Sequence, residues 1–230
     1  MGDIILPACT VYNIKEILMK TNTIAVIGGT GKSGKYLVRQ LLEKGYSIKL
    51  LLRNPENFKS ENSLIEIMKG DARNYQSVHA LLKDCSCVIS TLGQPVGEDP
   101  IFSDATGNIL KAMTFHGLKR YIVTTGLNVN TPFDKKNIKV KQATDWMYQN
   151  YPKTTKDKQT EYELLTTTDL DWTLVRLPLI IQTDEHFNVE TNLEDCKGEN
   201  ISVADLAEFL ISQIEDTTYI RESPFLYNVL

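Results

Sequence analysis

Three glycines at intervals of three, Gly28, Gly31 and Gly34, follow a short apolar run in the stretch IAVIGGTGKSGKYL. Two kinds of phosphate-binding loop contain similar letters. A loop of the G-x-x-x-x-G-K-[ST] kind would end at 31–33, and its first glycine would then fall on Val26. The spacing G-x-x-G-x-x-G is instead typical of the strand-to-helix turn that holds the pyrophosphate of a dinucleotide. The sequence therefore predicts a dinucleotide-binding turn and not an ATPase loop.

From residue 23 onward, apolar runs alternate with segments of helical periodicity. The runs predict strands at 23–28, 47–53, within 62–71, and at 86–93, 120–126 and 171–178, and the periodic segments predict helices at 32–44, 77–84, 104–116, 156–167 and 201–214. Strands separated by helices of this length require right-handed crossovers. We therefore predict an α/β fold, a doubly wound parallel sheet of the NAD(P)-binding Rossmann type. A short, partly exposed strand at FNVETNL belongs to a small C-terminal segment on the substrate side.

The chain is expected to form one domain over residues 21–230 of its 230 residues. Residues 1–20 precede the first strand as an extension of open role. This extension is compatible with an extra strand, an extra helix, or a non-native piece upstream of a start at Met19.

Composition excludes several classes of function. The net charge is −4, and the lysines at 135, 136, 139 and 141 are expected to form a solvated helix face, so we predict no nucleic-acid partner. The four cysteines lack a zinc spacing and are interpreted as reduced thiols, with no metal site. No apolar segment approaches the roughly 20 residues of a membrane span. We expect a cytoplasmic protein with no membrane partner, monomeric or homodimeric.

The end of the second predicted strand indicates which dinucleotide is bound. An acidic residue there would hydrogen-bond the ribose 2′-hydroxyl, whereas an arginine accommodates a 2′-phosphate. The strand SIKLLLR ends on Arg53, with no Asp or Glu in its last turn. A guanidinium binds phosphate through charge-assisted hydrogen bonds, and Lys32 and Ser33 of the glycine turn can add to that site. The sequence predicts NADP(H) in preference to NAD(H).

Further segments carry a resemblance to a known family. Together with GGTGKSG, the stretches LLRNPENF, MKGDARN, VISTLG, GLKRYIVTTG, LDWTLVRLP and ISVADLAEFL run in order across about 23–228. The chain resembles the atypical short-chain dehydrogenase/reductases, in the branch of NmrA-like and biliverdin/flavin-reductase-like proteins. The resemblance implies that residues after the third strand contact the adenine, that those after the fourth follow the pyrophosphate and ribose, and that those after the fifth border the nicotinamide. Motif and resemblance together predict the following cofactor-binding residues: Gly28, Thr30, Gly31, Lys32, Ser33, Gly34, Arg53, Asp71, Ala72, Thr91, Leu92, Gly93, Thr124, Thr125 and Lys158.

The resemblance also shows a departure at the catalytic position. Relatives that oxidise alcohols or reduce ketones use Tyr-x-x-x-Lys, in which the tyrosine is the general acid/base. The family lysine corresponds to Lys158, but four residues earlier stands Thr154. We therefore expect hydride transfer from NADPH to a small acceptor that needs little help, such as a flavin, quinone or carbonyl, with Thr125 and Lys158 as candidate catalytic residues. Two alternatives remain open, a non-catalytic NADP-sensing regulator of NmrA-like type and an enzyme similar to nucleotide-sugar epimerases.

Overall fold

A computed structural model describes residues 23–94 and 97–229. The N-terminal extension predicted at 1–20 lies outside the described residues. The strands in the described part are β1 (Thr23–Ile27), β2 (Ser47–Leu52), β3 (Ile65–Lys69), β4 (Cys87–Ser90), β5 (Arg120–Gly126), β6 (Asp171–Leu177), β7 (Leu179–Ile181), β8 (Asn188–Asn192), β9 (Asn200–Ser202) and β10 (Phe225–Val229). The helices are α1 (Gly34–Glu43), α2 (Tyr75–Leu82), α3 (Phe102–His116), α4 (Ile138–Asn150), α5 (Pro152–Thr166) and α6 (Val203–Ser212).

Eight of these strands form one sheet in the order β3-β2-β1-β4-β5-β6-β10-β8. All neighbours pair in parallel except β8, which runs antiparallel to β10. The chain moves outward in one direction from β1 to β3 and then resumes on the other side of β1 with β4. This reversal opens a crevice at the carboxyl ends of β1 and β4, where sheets of this topology place their ligands. The predicted doubly wound fold is confirmed, with one antiparallel edge strand as a correction to the all-parallel sheet.

The central strand β1 explains why the sheet is covered on both faces. Its residues alternate between two buried clusters, and Ala25 and Ile27 pack in the cluster formed with α2, α3 and α5. Ile24 and Val26 pack in the cluster formed with α1 and α6. A strand buried on both faces reads as a continuous apolar run, as the sequence of β1 does.

Three described strands, β7, β9 and β10, were not predicted from the sequence, and helix α4 was predicted only as a solvated lysine face near its start. Helix α4 buries only Val140 and Thr144, so its sequence carries little apolar periodicity. Strands β7 and β9 have three residues each and pair with one another in a separate two-stranded sheet. Residues 201 and 202 belong to β9 and not to the predicted helix 201–214. Ser202 caps α6, since its hydroxyl accepts the backbone N–H of Asp205 at 3.0 Å.

The predicted solvated lysine face is wrong at one position. Lys136 is buried, and its ammonium donates to the Val129 carbonyl oxygen at 3.0 Å and to Asn130 Oδ1 at 2.8 Å. Burial lowers the pKa of Lys136 to about 8, although Asp134 lies 3.4 Å away and opposes the shift. This lysine therefore ties a loop to the domain instead of facing water.

Candidate functional site

A cleft of about 700 Å³ opens at the carboxyl ends of β1 to β4. Its volume lies in the range of cofactor sites. Most of the residues predicted to bind the cofactor line it, namely Gly28, Thr30, Gly31, Lys32, Arg53, Asp71, Ala72, Thr91, Leu92 and Gly93. The walls also contain Phe58, Gln94 and Ile180, which the sequence analysis did not single out. Motifs that are far apart in the sequence thus line the same cleft. Their role as cofactor ligands stays a prediction.

The glycine turn has no room for side chains at two of its three spaced positions. Gly28 has φ +82°, and a Cβ there would lie 2.8 Å from the carbonyl carbon of Thr91. A Cβ on Gly34 would lie 2.1 Å from the carbonyl oxygen of Gly28. The turn is closed by the Gly31 N–H, which donates to the same Gly28 oxygen at 3.0 Å. Glycine at 28 lets the chain turn beside β4, and glycine at 34 lets α1 approach β1 closely.

Helix α1 points its N-terminus at the cleft. Its N-cap residue, Ser33, makes no side-chain capping bond, and the first turn contains no acidic residue. The N–H groups and dipole at a helix start favour an anion. The geometry therefore fits the pyrophosphate of a dinucleotide.

Arg53 lies directly after β2, at the rim of the cleft. Its Nη1 donates to Glu98 Oε1 at 2.7 Å, and Arg73 Nη1 donates to Glu98 Oε2 at 2.9 Å. The hydrogen bond from Arg53 is the main reason that the pKa of Glu98 is lowered. Sequence reasoning missed Arg73 and Glu98. The available signal for Arg73 was its position two residues after Asp71, which was predicted to bind the cofactor.

A second polar group lies at the end of β5 and along α5, formed by residues that do not themselves line the cleft. Thr125 is buried, and its hydroxyl has no hydrogen-bond partner within the described residues. Asn128 Nδ2, also buried, has none in the same part of the chain. The Lys158 ammonium would come 3.8 Å from a Cβ placed on Gly126 and sits 4.8 Å from the ring centroid of Phe102. Burial lowers the pKa of Lys158. Thr124, on the other face of β5, is half-buried.

One helical turn beyond Lys158, α5 carries a carboxyl group that the sequence analysis did not notice. Glu161 is 2 % exposed, and its Oε1 accepts the Thr106 hydroxyl at 2.9 Å. Its Oε2 has no partner among the described residues. Burial raises the pKa of Glu161 to about 8, partly offset by the Thr106 hydrogen bond and by Lys158. The carboxyl group is therefore held mainly protonated at neutral pH.

The position of the family tyrosine is occupied in a different way. Thr154 lies in the first turn of α5, and its hydroxyl donates to Gln94 Oε1 at 3.3 Å. Tyr151 is half exposed and packs against Trp146, with ring centroids 5.6 Å apart. Neither side chain replaces the tyrosine one turn before Lys158. Direct proton donation by a tyrosine at that position is excluded by the sequence itself.

Arg176, in the segment LDWTLVRLP, serves the fold. It is fully buried, and its Nη1 pairs with Asp134 Oδ1 at 2.6 Å. Its guanidinium carbon also lies 3.6 Å from the ring centroid of Phe225. Burial lowers the pKa of Arg176, and Asp134 opposes that shift. The positive charge of Arg176 is therefore used in contacts with neighbouring segments of the chain.

Residues 23–94 and 97–229 contain no group of three or more His, Cys, Asp or Glu side chains that could hold a metal ion. The cysteines in this part of the chain, Cys85, Cys87 and Cys196, are unpaired, and burial raises the pKa of Cys85 and of Cys87 to about 12. Cys9 lies outside the described residues. None of the described helices combines the length and hydropathy that crossing a bilayer requires.

A family model described as NAD(P)H-binding matches residues 28–217, which is most of the chain. Dihydroflavonol 4-reductase from Solanum lycopersicum is 46% identical over 52 residues, covering 23% of this chain and 14% of that protein. An isoflavone reductase homolog from Nicotiana tabacum is 31% identical over 116 residues, covering 46% of this chain and 36% of its own length. The chain thus spans only a minor part of these curated relatives.

Solved structures resemble the whole fold at low sequence identity. A protein described as an anaerobillin reductase from Escherichia coli O157:H7 superposes with a TM-score of 0.75 at 15% identity, covering 90% of this chain and 97% of that one. A short-chain dehydrogenase/reductase from Veillonella parvula, solved in complex with NADP, gives a TM-score of 0.74 at 16% identity, covering 90% and 94%. At this identity the likeness shows the fold alone.

Proposed function

Because the chain belongs to the NAD(P)H-binding family, we propose that it is an NADPH-dependent reductase of the atypical short-chain type. Its acceptor is a small molecule such as a flavin, a quinone or another carbonyl compound. The observation that carries the proposal is the buried Thr125 hydroxyl, which lies near the end of β5 and has no partner within the described residues. An unsatisfied buried hydroxyl is costly unless a ligand completes its hydrogen bonds.

Different residues hold the different parts of the cofactor. The glycine turn and the start of α1 receive the pyrophosphate, and Asp71 and Ala72 border the adenine. We assign the nicotinamide ribose to Lys158, whose ammonium would lie 3.8 Å from a Cβ placed on Gly126 at the end of β5. Thr124 and Thr125 border the nicotinamide. When bound, the reduced nicotinamide supplies a hydride.

The preference for NADPH rests on the charge at the end of β2. Arg53 places a guanidinium at the position that distinguishes a ribose 2′-hydroxyl from a 2′-phosphate in this fold, and Lys32 lines the same cleft. A 2′-phosphate gains charge-assisted hydrogen bonds from such donors, whereas a 2′-hydroxyl gains much less. The similar structure from Veillonella parvula was solved with NADP bound, which agrees with this proposal.

The chemistry that these side chains can support is limited. Thr125 donates its hydroxyl proton in a hydrogen bond to an acceptor oxygen or nitrogen and so polarises it. The chain supplies no tyrosine before Lys158, so acceptors that stabilise added charge by themselves fit better than simple ketones. Flavins and quinones have this property because their rings delocalise the charge.

A second candidate function is a regulatory protein that binds NADP without turnover. The contact between Thr154 and Gln94 favours it, because it fills the place of the catalytic tyrosine with a neutral pair of side chains. An epimerase-like enzyme is a weaker third candidate, since that chemistry depends on the same tyrosine.

The test is a titration of the purified protein with NADPH and with NADH, followed by loss of NADPH absorbance after addition of FMN or a quinone. Tight NADPH binding with turnover is the expected result. Tight binding without turnover on flavin, quinone and carbonyl acceptors would replace the reductase by the regulator. Absence of binding by both nucleotides would refute the proposed function.

A further inference from the structure

The rim of the cleft holds one carboxylate between two arginines. Glu98 uses a different oxygen for each, with Oε1 2.7 Å from Arg53 Nη1 and Oε2 2.9 Å from Arg73 Nη1. The three residues come from three separate segments, after β2, after β3 and after β4. The contact therefore joins the segments that enclose the cleft, and it places two guanidiniums around a single anion.

Arg73 is fixed in this place by further contacts. Its Nη2 donates to the Asp99 carbonyl oxygen at 2.9 Å, and its Nη1 lies 3.7 Å from Asp71 Oδ2. Its backbone N–H donates to Asp71 Oδ1 at 2.8 Å. Asp71 itself lines the cleft. Arg73 is thus oriented toward the rim, and Glu98 is the acidic side chain to which both arginines donate.

The proposed function places the cofactor's ribose at this same contact. Arg53 directly follows β2, and the residue at that place distinguishes a 2′-hydroxyl from a 2′-phosphate. Planar guanidinium donors match carboxylate and phosphate oxygens with the same geometry. A carboxylate seated on these donors therefore has the chemistry of a bound phosphate monoester.

We propose that Arg53 and Arg73 together form the subsite for the cofactor's 2′-phosphate and that Glu98 occupies this subsite in the free protein. The inference rests on the proposed NADPH binding and adds a specificity residue to it. The phosphate and the carboxylate compete for the same donors, and their like charges repel at this distance. Glu98 must leave before the phosphate is bound, so it lowers the affinity for NADPH. NADH carries no 2′-phosphate and does not need the two guanidiniums.

The size of the effect follows from the exposure of the three side chains. Arg53 is 49%, Glu98 40% and Arg73 28% exposed. Exposed ion pairs are individually weak because water screens them, so releasing two of them changes binding by about three- to ten-fold. Glu98 therefore adjusts the preference between the two nucleotides and does not abolish binding.

The experiment compares nucleotide affinities by fluorescence titration of the wild-type protein and two variants. In Glu98→Gln we expect NADPH to bind about five-fold more tightly, with NADH affinity unchanged. The matched control is Asp99→Asn, which removes the same charge one residue away. The Asp99 side chain pairs with Lys153 at 3.3 Å and not with either arginine. The control should leave both affinities near wild type.

A variant of the second arginine tests the other half of the inference. Arg73→Gln should weaken NADPH several-fold and leave NADH unchanged, because it removes one of the two phosphate ligands. Unchanged NADPH affinity in Glu98→Gln, with the wild-type protein still binding NADPH, would overturn the inference and leave the proposed function standing. Weaker NADH binding in Glu98→Gln would also overturn it, since Glu98 would then hold the ribose hydroxyls. If the wild-type protein binds neither nucleotide, the proposed function fails and this inference fails with it.

Discussion

The buried carboxyl group of Glu161 makes the stability of this protein depend on pH in a predictable direction. Burial raises its pKa from the ordinary 4.5 to about 8 in the folded state. The unfolded chain releases this proton near its ordinary pKa, so the folded state binds one more proton between the two values. The contribution of Glu161 to the free energy of unfolding therefore falls as pH rises through this window.

The magnitude follows from the width of the window. The loss is about 1.4 kcal/mol for each pH unit above the unfolded pKa, which gives about 3 kcal/mol by pH 7. The substitution Glu161→Gln removes the titration and keeps an oxygen that accepts the Thr106 hydroxyl. At pH 5 we expect the variant and the wild-type protein to be nearly equal in stability. At pH 7 the variant should be more stable by about 3 kcal/mol.

The assay is urea unfolding of both proteins at a series of pH values from 5 to about 8, read as the difference in unfolding free energy. The variant Glu163→Gln provides a matched control for net charge, because Glu163 lies on the same helix and is exposed. A Glu161→Gln variant that is less stable than the wild-type protein at pH 7 would refute the reasoning. That result would mean that Glu161 is ionised and forms a stabilising pair with Lys158.

Three further substitutions test the cleft. Gly34→Ala places a Cβ 2.1 Å from the Gly28 carbonyl oxygen. We therefore expect the free energy of unfolding in urea to fall by about 1–3 kcal/mol and NADPH binding to be lost. The control Gly107→Ala, whose Cβ meets no atom within 4 Å, should change neither the stability nor the binding. Arg53→Asp should weaken NADPH by about thirty-fold in titrations and NADH far less, and equal losses would contradict the assignment of the 2′ position. Thr125→Val should lower turnover about five-fold with NADPH affinity near wild type, and unchanged turnover would leave Thr125 as a structural residue.

The sequence predicted the elements that carry strong periodicity and the turn that carries fixed spacing. Strand β5 has the predicted bounds, and Gly28 and Gly34 occupy positions that exclude a Cβ. Both follow from local rules, since a buried strand and a tight turn restrict residue types directly. Local rules therefore sufficed for the parallel strands β1 to β6 and for the floor of the cleft.

The features that were not predicted depend on contacts between distant segments. Arg73 and Glu98 are 25 residues apart and meet only because their segments border the same crevice. The burial of Glu161 depends on Thr106, which lies 55 residues away on α3. A glutamate on a helix is ordinarily exposed, and nothing in the letters of α5 distinguishes this one from Glu163. Such side chains can be found only after the tertiary structure is known.

The position of β10 has a consequence for the way this chain folds as it is made. Within the sheet, β10 lies between β6 and β8, and β8 pairs with no other described strand. Synthesis runs from the N-terminus, so residues 188–192 leave the ribosome before 225–229, the segment that connects them to the sheet. During that interval the edge of β6 and the whole of β8 are unpaired, and unpaired edges are where nascent chains aggregate. The order in which these strands are synthesised therefore differs from the order in which they can join the sheet.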